Sequence, residues 1–287
     1  MVAGSITPIT STVSVIIPTH NRAYTLPRAL ESVLAQSHPI LEIIVIDDGS
    51  TDETPGLMAE QYAQCCYLRQ DNQGVSAARN RGIQHARGEW LALLDSDDCW
   101  MPKKLERQFD RLAALPGHRL CHSDEIWIRN GKRVNAMRKH AKQGGYIYQH
   151  CLPLCVISPS ATLLHRSLFE VYGLFDENLP ACEDYDLWLR ICSREPVAYV
   201  DEPLVIKYGG HEDQLSRRHW GMDRFRVHAL EKLLESQTLS PADRAKTLRT
   251  LEQKCQILIQ GAEKRSAWAR ADEYRKILKH YERELLG

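Results

Sequence analysis

Residues Trp90–Asp98 read WLALLDSDD. The first five are apolar, the pattern of a short strand covered on both faces. The next four hold Asp95, Asp97 and Asp98, three carboxylates that repel one another unless positive charge sits among them. A buried strand ending on clustered acids points to an open α/β sheet, which takes its ligands at the carboxyl ends of its strands.

The flanking sequence repeats this arrangement. VSVIIP (Val13–Pro18), IIVID (Ile43–Asp47) and Tyr67–Gln70 are three further strand candidates. Between them lie helical segments at Leu26–Gln36, Pro55–Ala63 and Val75–His85. In the first, Leu26, Ala29, Leu30, Val33 and Leu34 form one apolar stripe, Thr25 is placed to cap it, and Pro27 is tolerated in the opening turn. Strand and helix alternate three times, which predicts βαβ units: a Rossmann-like, mostly parallel central sheet flanked by helices. The polar runs PTHNR, DDGS and DSDD then fall on one rim. A single Asp-rich turn is common; three converging ones indicate a site.

The second half is less regular, with strands predicted at Ser160–His165 and Leu204–Tyr208 and a helix at Asp184–Arg194. Asp223–Glu235, Pro241–Gln260 and Ala267–Leu286 read as amphipathic helices separated by turn signals, a C-terminal helical appendage. No period recurs often enough for a repeat protein. The nine cysteines have irregular spacing and no zinc pattern, and are expected to be buried reduced thiols. Lys+Arg and Asp+Glu both number 37 in 287 residues, so charge gives no long-range attraction to nucleic acid, and no nucleic-acid partner is expected. No apolar run approaches the roughly 20 residues of a membrane span, and the opening MVAGSITPITST lacks a signal-peptide pattern. The expectation is a cytoplasmic protein, with peripheral contact at the inner face of the membrane as a further possibility. The stretch Arg129–Lys142, with six Lys or Arg and no acid, is read as a solvated loop, or else as a surface for an acceptor phosphate or an anionic membrane.

VSVIIPTHNR, IIVIDDGSTDET, QGVSAARNRGI, WLALLDSDD and CEDYDLWLR, in this order, resemble the family 2 glycosyltransferases with the GT-A fold. The resemblance runs from Val13 to about Tyr208. It implies residues 1–212 as a catalytic domain and 213–287 as the appendage. It implies an inverting transfer from a nucleotide-diphosphate sugar, a UDP-sugar by expectation, to a glycan or lipid-linked acceptor, with Mn²⁺ or Mg²⁺ as cofactor. Pro18, Thr19, His20, Asn21, Asp48, Arg79, Asp95 and Ser96 then match nucleotide-sugar-binding positions, with His20 as a stacking ring and Arg79 near the pyrophosphate. Asp97 and His211 match metal ligands, Asp184 the general base, and Glu183 its neighbour.

These types suit the chemistry. A departing diphosphate gathers charge that a hard cation on one or two carboxylates neutralises, and inversion needs one carboxylate to take the acceptor proton. Asp47 is expected to be structural, Asp98 to cap the helix near Pro102, and Trp188 to lie in the core. A glycoside hydrolase would leave DSDD and SAARNRG unexplained, and a nucleotidyltransferase would carry a Gly- and Lys-rich phosphate loop after the first strand. The remaining alternative is a sugar-nucleotide-binding scaffold of the same fold. Oligomeric state is not legible.

Overall fold

The computed structural model describes residues 11–134, 140–210 and 219–285. The parallel half of the sheet is the predicted one. Strands β1 (Val13–Thr19), β2 (Glu42–Asp48), β3 (Cys66–Gln70) and β4 (Trp90–Leu93) lie in the order β3-β2-β1-β4, all parallel. Every residue of β1 is buried, as a run with apolar neighbours on both faces requires. Alternate residues serve opposite faces: Ile16, Ile44 and Leu91 join one apolar cluster, Val15, Ile17 and Val45 the other.

Helices α1 (Leu26–Leu34), α2 (Thr54–Gln61) and α3 (Val75–His85) connect these strands. In α1 the buried residues are Leu26, Ala29, Leu30 and Val33, the predicted stripe less its last member. Thr25 does not cap it. Its backbone is already right-handed helical, and its hydroxyl donates to the Arg22 carbonyl at 3.5 Å instead of accepting a helical N–H. Helix α3 packs so closely on β1 that a Cβ at Gly82 would run into Ile16 Cγ2.

Beyond β4 the sheet becomes mixed. A two-residue strand β5 (Cys99–Trp100) and helix α4 (Lys104–Ala113) precede β6 (Leu120–Arg129) and its hairpin partner β7 (Lys132–Val134). A short helix α5 (Tyr148–Cys151) leads to β8 (Thr162–His165), α6 (Ser167–Tyr172), α7 (Glu183–Cys192) and β9 (Val197–Gly209). The order continues β4-β8-β6-β9-β5, with β8 antiparallel to both neighbours and β6 parallel to β9. Antiparallel neighbours need no crossover helix, which is why the strand–helix rhythm fades there.

Helices α8 (Asp223–Glu235), α9 (Pro241–Glu263), α10 (Trp268–His280) and α11 (Glu282–Leu285) form the C-terminal layer. The last predicted helix is thus broken at Tyr281. Ser240 caps α9, its hydroxyl accepting from the Asp243 N–H. Buried Leu230, Leu233 and Leu234 of α8 and Leu251 and Leu258 of α9 belong to the same apolar cluster as Trp188 and Ile16. At roughly 1.5–3 kcal/mol per fully buried leucine, this docking is strong. Trp188 is core, 1% exposed. Seven of the nine cysteines are buried. Among the described residues no helix is long and apolar enough to cross a membrane.

Candidate active site

The carboxyl ends of β1, β2 and β4 open into a cavity of about 450 Å³. Pro18, Thr19, His20, Asp48, Arg79, Asp95, Ser96, Asp97, Glu183 and Asp184 all line it, so the strand-end motifs and the first turn of α7 do meet. Asn21 does not line it. With a positive φ of 53°, it ties the loop after β1 to that after β2: its Oδ1 accepts the Thr51 N–H at 2.7 Å, and its own N–H reaches Ser50 Oγ at 2.9 Å. His211 lies outside the described residues, as does the part of the basic stretch at 135–139. Within that stretch Lys142 is not solvated but buried against Glu125, Nζ to Oε2 at 3.0 Å.

The rim after β1 and β2 is rigidly hydrogen-bonded. His20 Nδ1 is 2.8 Å from the Asp48 carbonyl, which assigns the proton to Nδ1. Asn72 and Asn21 each bring an amide nitrogen within 3.3 Å of Nε2, so the ring is fixed at its edge. The Asp48 carboxylate accepts from Gln70 Nε2 and from the N–H groups of Gln73 and Gly74, at 2.8, 2.9 and 2.8 Å. Asp47, fully buried, accepts from the Ser50 N–H at 2.8 Å and from the Tyr67 hydroxyl, a structural role as expected. Gly49 makes this turn possible: its φ is +79°, and a Cβ would stand 2.9 Å from the Asn72 nitrogen. Thr19 Oγ1 is buried and, among the described residues, without a partner.

The three aspartates after β4 each have a cation. Asp95 Oδ1 is 2.7 Å from Arg79 Nη2, Asp97 Oδ2 is 3.4 Å from Arg22 Nη1, and Asp98 Oδ2 is 3.4 Å from Lys207 Nζ. Asp98 does not cap a helix. It is 1% exposed and takes the Ser160 hydroxyl at 2.7 Å and the Tyr208 N–H at 3.3 Å, because β5 pairs with β9 and turns it inward. The cations do not neutralise the cluster. Burial raises Asp97, with Asp95 adding to it, and burial raises Asp98 to about 7 despite Lys207. Asp95 is likewise penalised by burial, but Arg79 and Lys207 more than offset this and hold it below the usual carboxylate range. Burial opposes the charge of Lys207, yet Asp98 and Glu125 keep it above the ordinary lysine range.

Arg79 joins the two halves of the site. It is 3% exposed, with Nη2 on Asp95 and Nη1 2.6 Å from Glu183 Oε1. Burial and the neighbouring Asp184 still push Glu183 up to about 7. Asp184 opens α7 beside it. Its Oδ1 accepts the Tyr185 N–H at 2.7 Å and its Oδ2 the Cys155 thiol at 3.3 Å.

Three cations of the cavity, Arg22, Lys207 and Arg226, were not anticipated from sequence. Arg22 was legible in principle, as the last residue of PTHNR. Lys207 sits in the apolar run of β9 and Arg226 falls on the same helix face as buried Leu230 and Leu233, and neither pattern singles out a site.

Residues 14–173 match the family model described as glycosyl transferase family 2. A putative teichuronic acid biosynthesis glycosyltransferase of Bacillus subtilis, TuaG, is 41% identical over 214 residues, covering 72% of this chain and 82% of the relative. An uncharacterized glycosyltransferase of Rickettsia typhi is 33% identical over 207 residues, or 70% of this chain and 65% of its own length. The matched region spans only 35% of a longer relative from Rickettsia conorii. The crystal structure of S. aureus TarS 1-349 in complex with UDP-GlcNAc superposes with a TM-score of 0.63 at 16% identity, covering 95% of this chain and 92% of that one. That likeness is one of fold.

Proposed function

Because this chain belongs to glycosyl transferase family 2 and has the GT-A fold, we propose that it transfers a sugar, with inversion, from a nucleotide-diphosphate sugar to a hydroxyl of a glycan or lipid-linked acceptor. The observation that carries this reading is the Asp95–Arg79–Glu183 chain, which holds the acidic rim of β4 beside Asp184 in one cavity. Residues 1–212 are the catalytic domain in this reading, and 213–287 the helical appendage docked on it. A UDP-sugar is the favoured donor, since the UDP-GlcNAc complex of TarS shares the fold.

The charge inventory favours a divalent cation. Six carboxylates line the cavity (Asp48, Asp95, Asp97, Asp98, Glu183 and Asp184) against four cations (Arg22, Arg79, Lys207 and Arg226), a deficit of two positive charges. Burial and the neighbouring carboxylates raise Asp97, Asp98 and Glu183 above the usual carboxylate range, in keeping with that deficit. Mg²⁺ or Mn²⁺ takes one or two carboxylates and fills its shell with phosphate and water. Asp97 is the ligand of choice and His211 the second candidate. When bound, the ion would supply charge neutralisation for the leaving diphosphate.

This chain's own groups do the rest. Pro18, Thr19, His20 and Asp48 receive the nucleotide, and Thr19 Oγ1 offers a donor that has no partner among the described residues. Asp95 and Ser96 meet the ribose and sugar. Asp184 removes the acceptor hydroxyl proton as that oxygen bonds to the anomeric carbon and the bond to the diphosphate oxygen breaks, the electron pair leaving with the diphosphate. Lys207 and Arg22 stand at the acidic cluster to receive that charge. The test is a nucleotide-sugar panel with Mn²⁺, reading released UDP or GDP. Turnover of a donor by the wild type and its loss in Asp184→Asn is the expected outcome. Binding of nucleotide without turnover of any sugar nucleotide would instead favour a scaffold.

A further inference from the structure

Arg226 reaches the cavity from α8, beyond the 14–173 segment that the family model matches. It stands by Tyr185, the residue after Asp184, and pairs with none of the aspartates after β4. Met222, also on the cavity wall, accepts the Cys182 thiol at its carbonyl, and the Arg226 guanidinium lies 5.9 Å from the centroid of the Tyr185 ring. Cys182 and Tyr185 flank Glu183 and Asp184 in sequence, so the cation stands at the first turn of α7.

Its charge is not fully matched. Arg226 Nη1 is 2.9 Å from Asp223 Oδ1, and Lys254 Nζ lies 3.0 Å from the same oxygen. Two cations on one carboxylate leave one net positive charge. Of the two, Arg226 keeps its proton throughout and is the one that reaches the cavity. Its Nε is buried and, among the described residues, has no hydrogen-bond partner, a situation that costs free energy unless a ligand supplies the acceptor. The side chain remains 23% exposed and lines the cavity.

The donor's diphosphate already has Arg22, Lys207 and the proposed cation at the rim of β4. We infer that Arg226 binds an anionic group, phosphate or carboxylate, on the acceptor, while the acceptor's hydroxyl is offered to Asp184. The inference rests on the glycosyl-transfer reading and narrows it to acidic acceptors. Because α8 belongs to the appendage, it also gives the C-terminal helices a part in acceptor choice.

The full-length protein, with Mn²⁺ and whichever of UDP, GDP and dTDP it binds, is titrated with glycerol 3-phosphate and with glucuronate, each beside its neutral counterpart, glycerol or glucose. At least one anion should bind tenfold or more tighter than its neutral partner, and the stronger of the two identifies the group. Arg226→Met should abolish that preference and Arg226→Lys retain most of it, with nucleotide affinity within twofold of wild type in both. The inference is overturned by equal binding of anion and neutral probe to wild type, or by an unaltered preference in Arg226→Met. A tenfold loss of nucleotide affinity in Arg226→Met overturns it too, since that assigns the residue to the donor. Failure of all three nucleotides to bind removes the transfer reading itself and the inference with it.

Discussion

Arg79 Nη1 lies 2.6 Å from Glu183 Oε1, and both side chains are almost fully buried. The other prong of the same guanidinium holds Asp95 at 2.7 Å, so one residue of α3 sets the spacing between the end of β4 and the first turn of α7. Removing one partner of a buried pair leaves an uncompensated charge, which costs about 3–5 kcal/mol. Arg79→Met should therefore lower stability by that order in urea unfolding and abolish transfer. Arg79→Lys should recover only part of either, because an ammonium cannot present the guanidinium's planar fork to both carboxylates. Unfolding of Arg79→Met within about 1 kcal/mol of wild type would show the pair to be incidental.

Asp184→Asn is nearly isosteric and keeps an oxygen for the Tyr185 N–H. It loses the capacity to accept a proton. Transfer should fall by roughly 10²–10⁴-fold, the usual contribution of a positioned base, while the affinity for nucleotide stays unchanged. A variant that turns over at the wild-type rate would take Asp184 out of the base role.

What could be read from the sequence follows from how local the determinants are. Fully apolar strands such as VSVIIP and the 3.6-residue stripe of α1 carry their own periodicity, so the parallel half of the sheet and the rim it builds were legible. In the second half the strand of Thr162–His165, the end of β9, α7 and the C-terminal helices were legible as segments, but β6, β7 and the strand pairing were not. The antiparallel strands pair over long separations, as where Leu91 faces Leu164, and no local rhythm announces which strand meets which. The same reason hid the Lys207–Asp98 pair, which depends on β9 running beside β5. Asp98 was misplaced because a polar residue before a helix resembles a cap, whereas here β5 intervenes and buries it. That Asp184, Glu183 and the strand-end acids line one cavity was legible because the motifs that carry them are contiguous.

Arg22 Nη1 is 3.4 Å from Asp97 Oδ2, and burial together with Asp95 keeps that carboxylate above its usual range. A divalent ion beside Asp97 would remove the deficit that one guanidinium leaves. Nucleotide affinity measured by calorimetry should therefore rise at least tenfold on adding Mn²⁺ and fall again on chelation. Asp97→Asn should bind at the chelated wild-type level and stop responding to the ion. An undiminished response in Asp97→Asn would move the cation site elsewhere.

His122 is fully buried on β6, with Nε2 2.9 Å from the Gln143 carbonyl and Nδ1, among the described residues, without a partner. Burial, and then the Lys142 ammonium, depress its pKa from 6.5 to about 3. The folded protein therefore keeps His122 neutral, while the unfolded chain takes up a proton below pH 6.5. A depressed group contributes stability that is complete above the unfolded value and is lost as pH falls toward the folded one. Between pH 6.5 and 3 the loss from this one residue approaches about 1.4 kcal/mol per pH unit. Urea midpoints of wild type at pH 7, 6, 5 and 4 should fall more steeply than those of His122→Gln, whose amide nitrogen takes the place of Nε2 toward the Gln143 carbonyl but does not titrate. Parallel slopes for the two proteins would mean that water or a local opening solvates the ring, and that its burial is not maintained in solution.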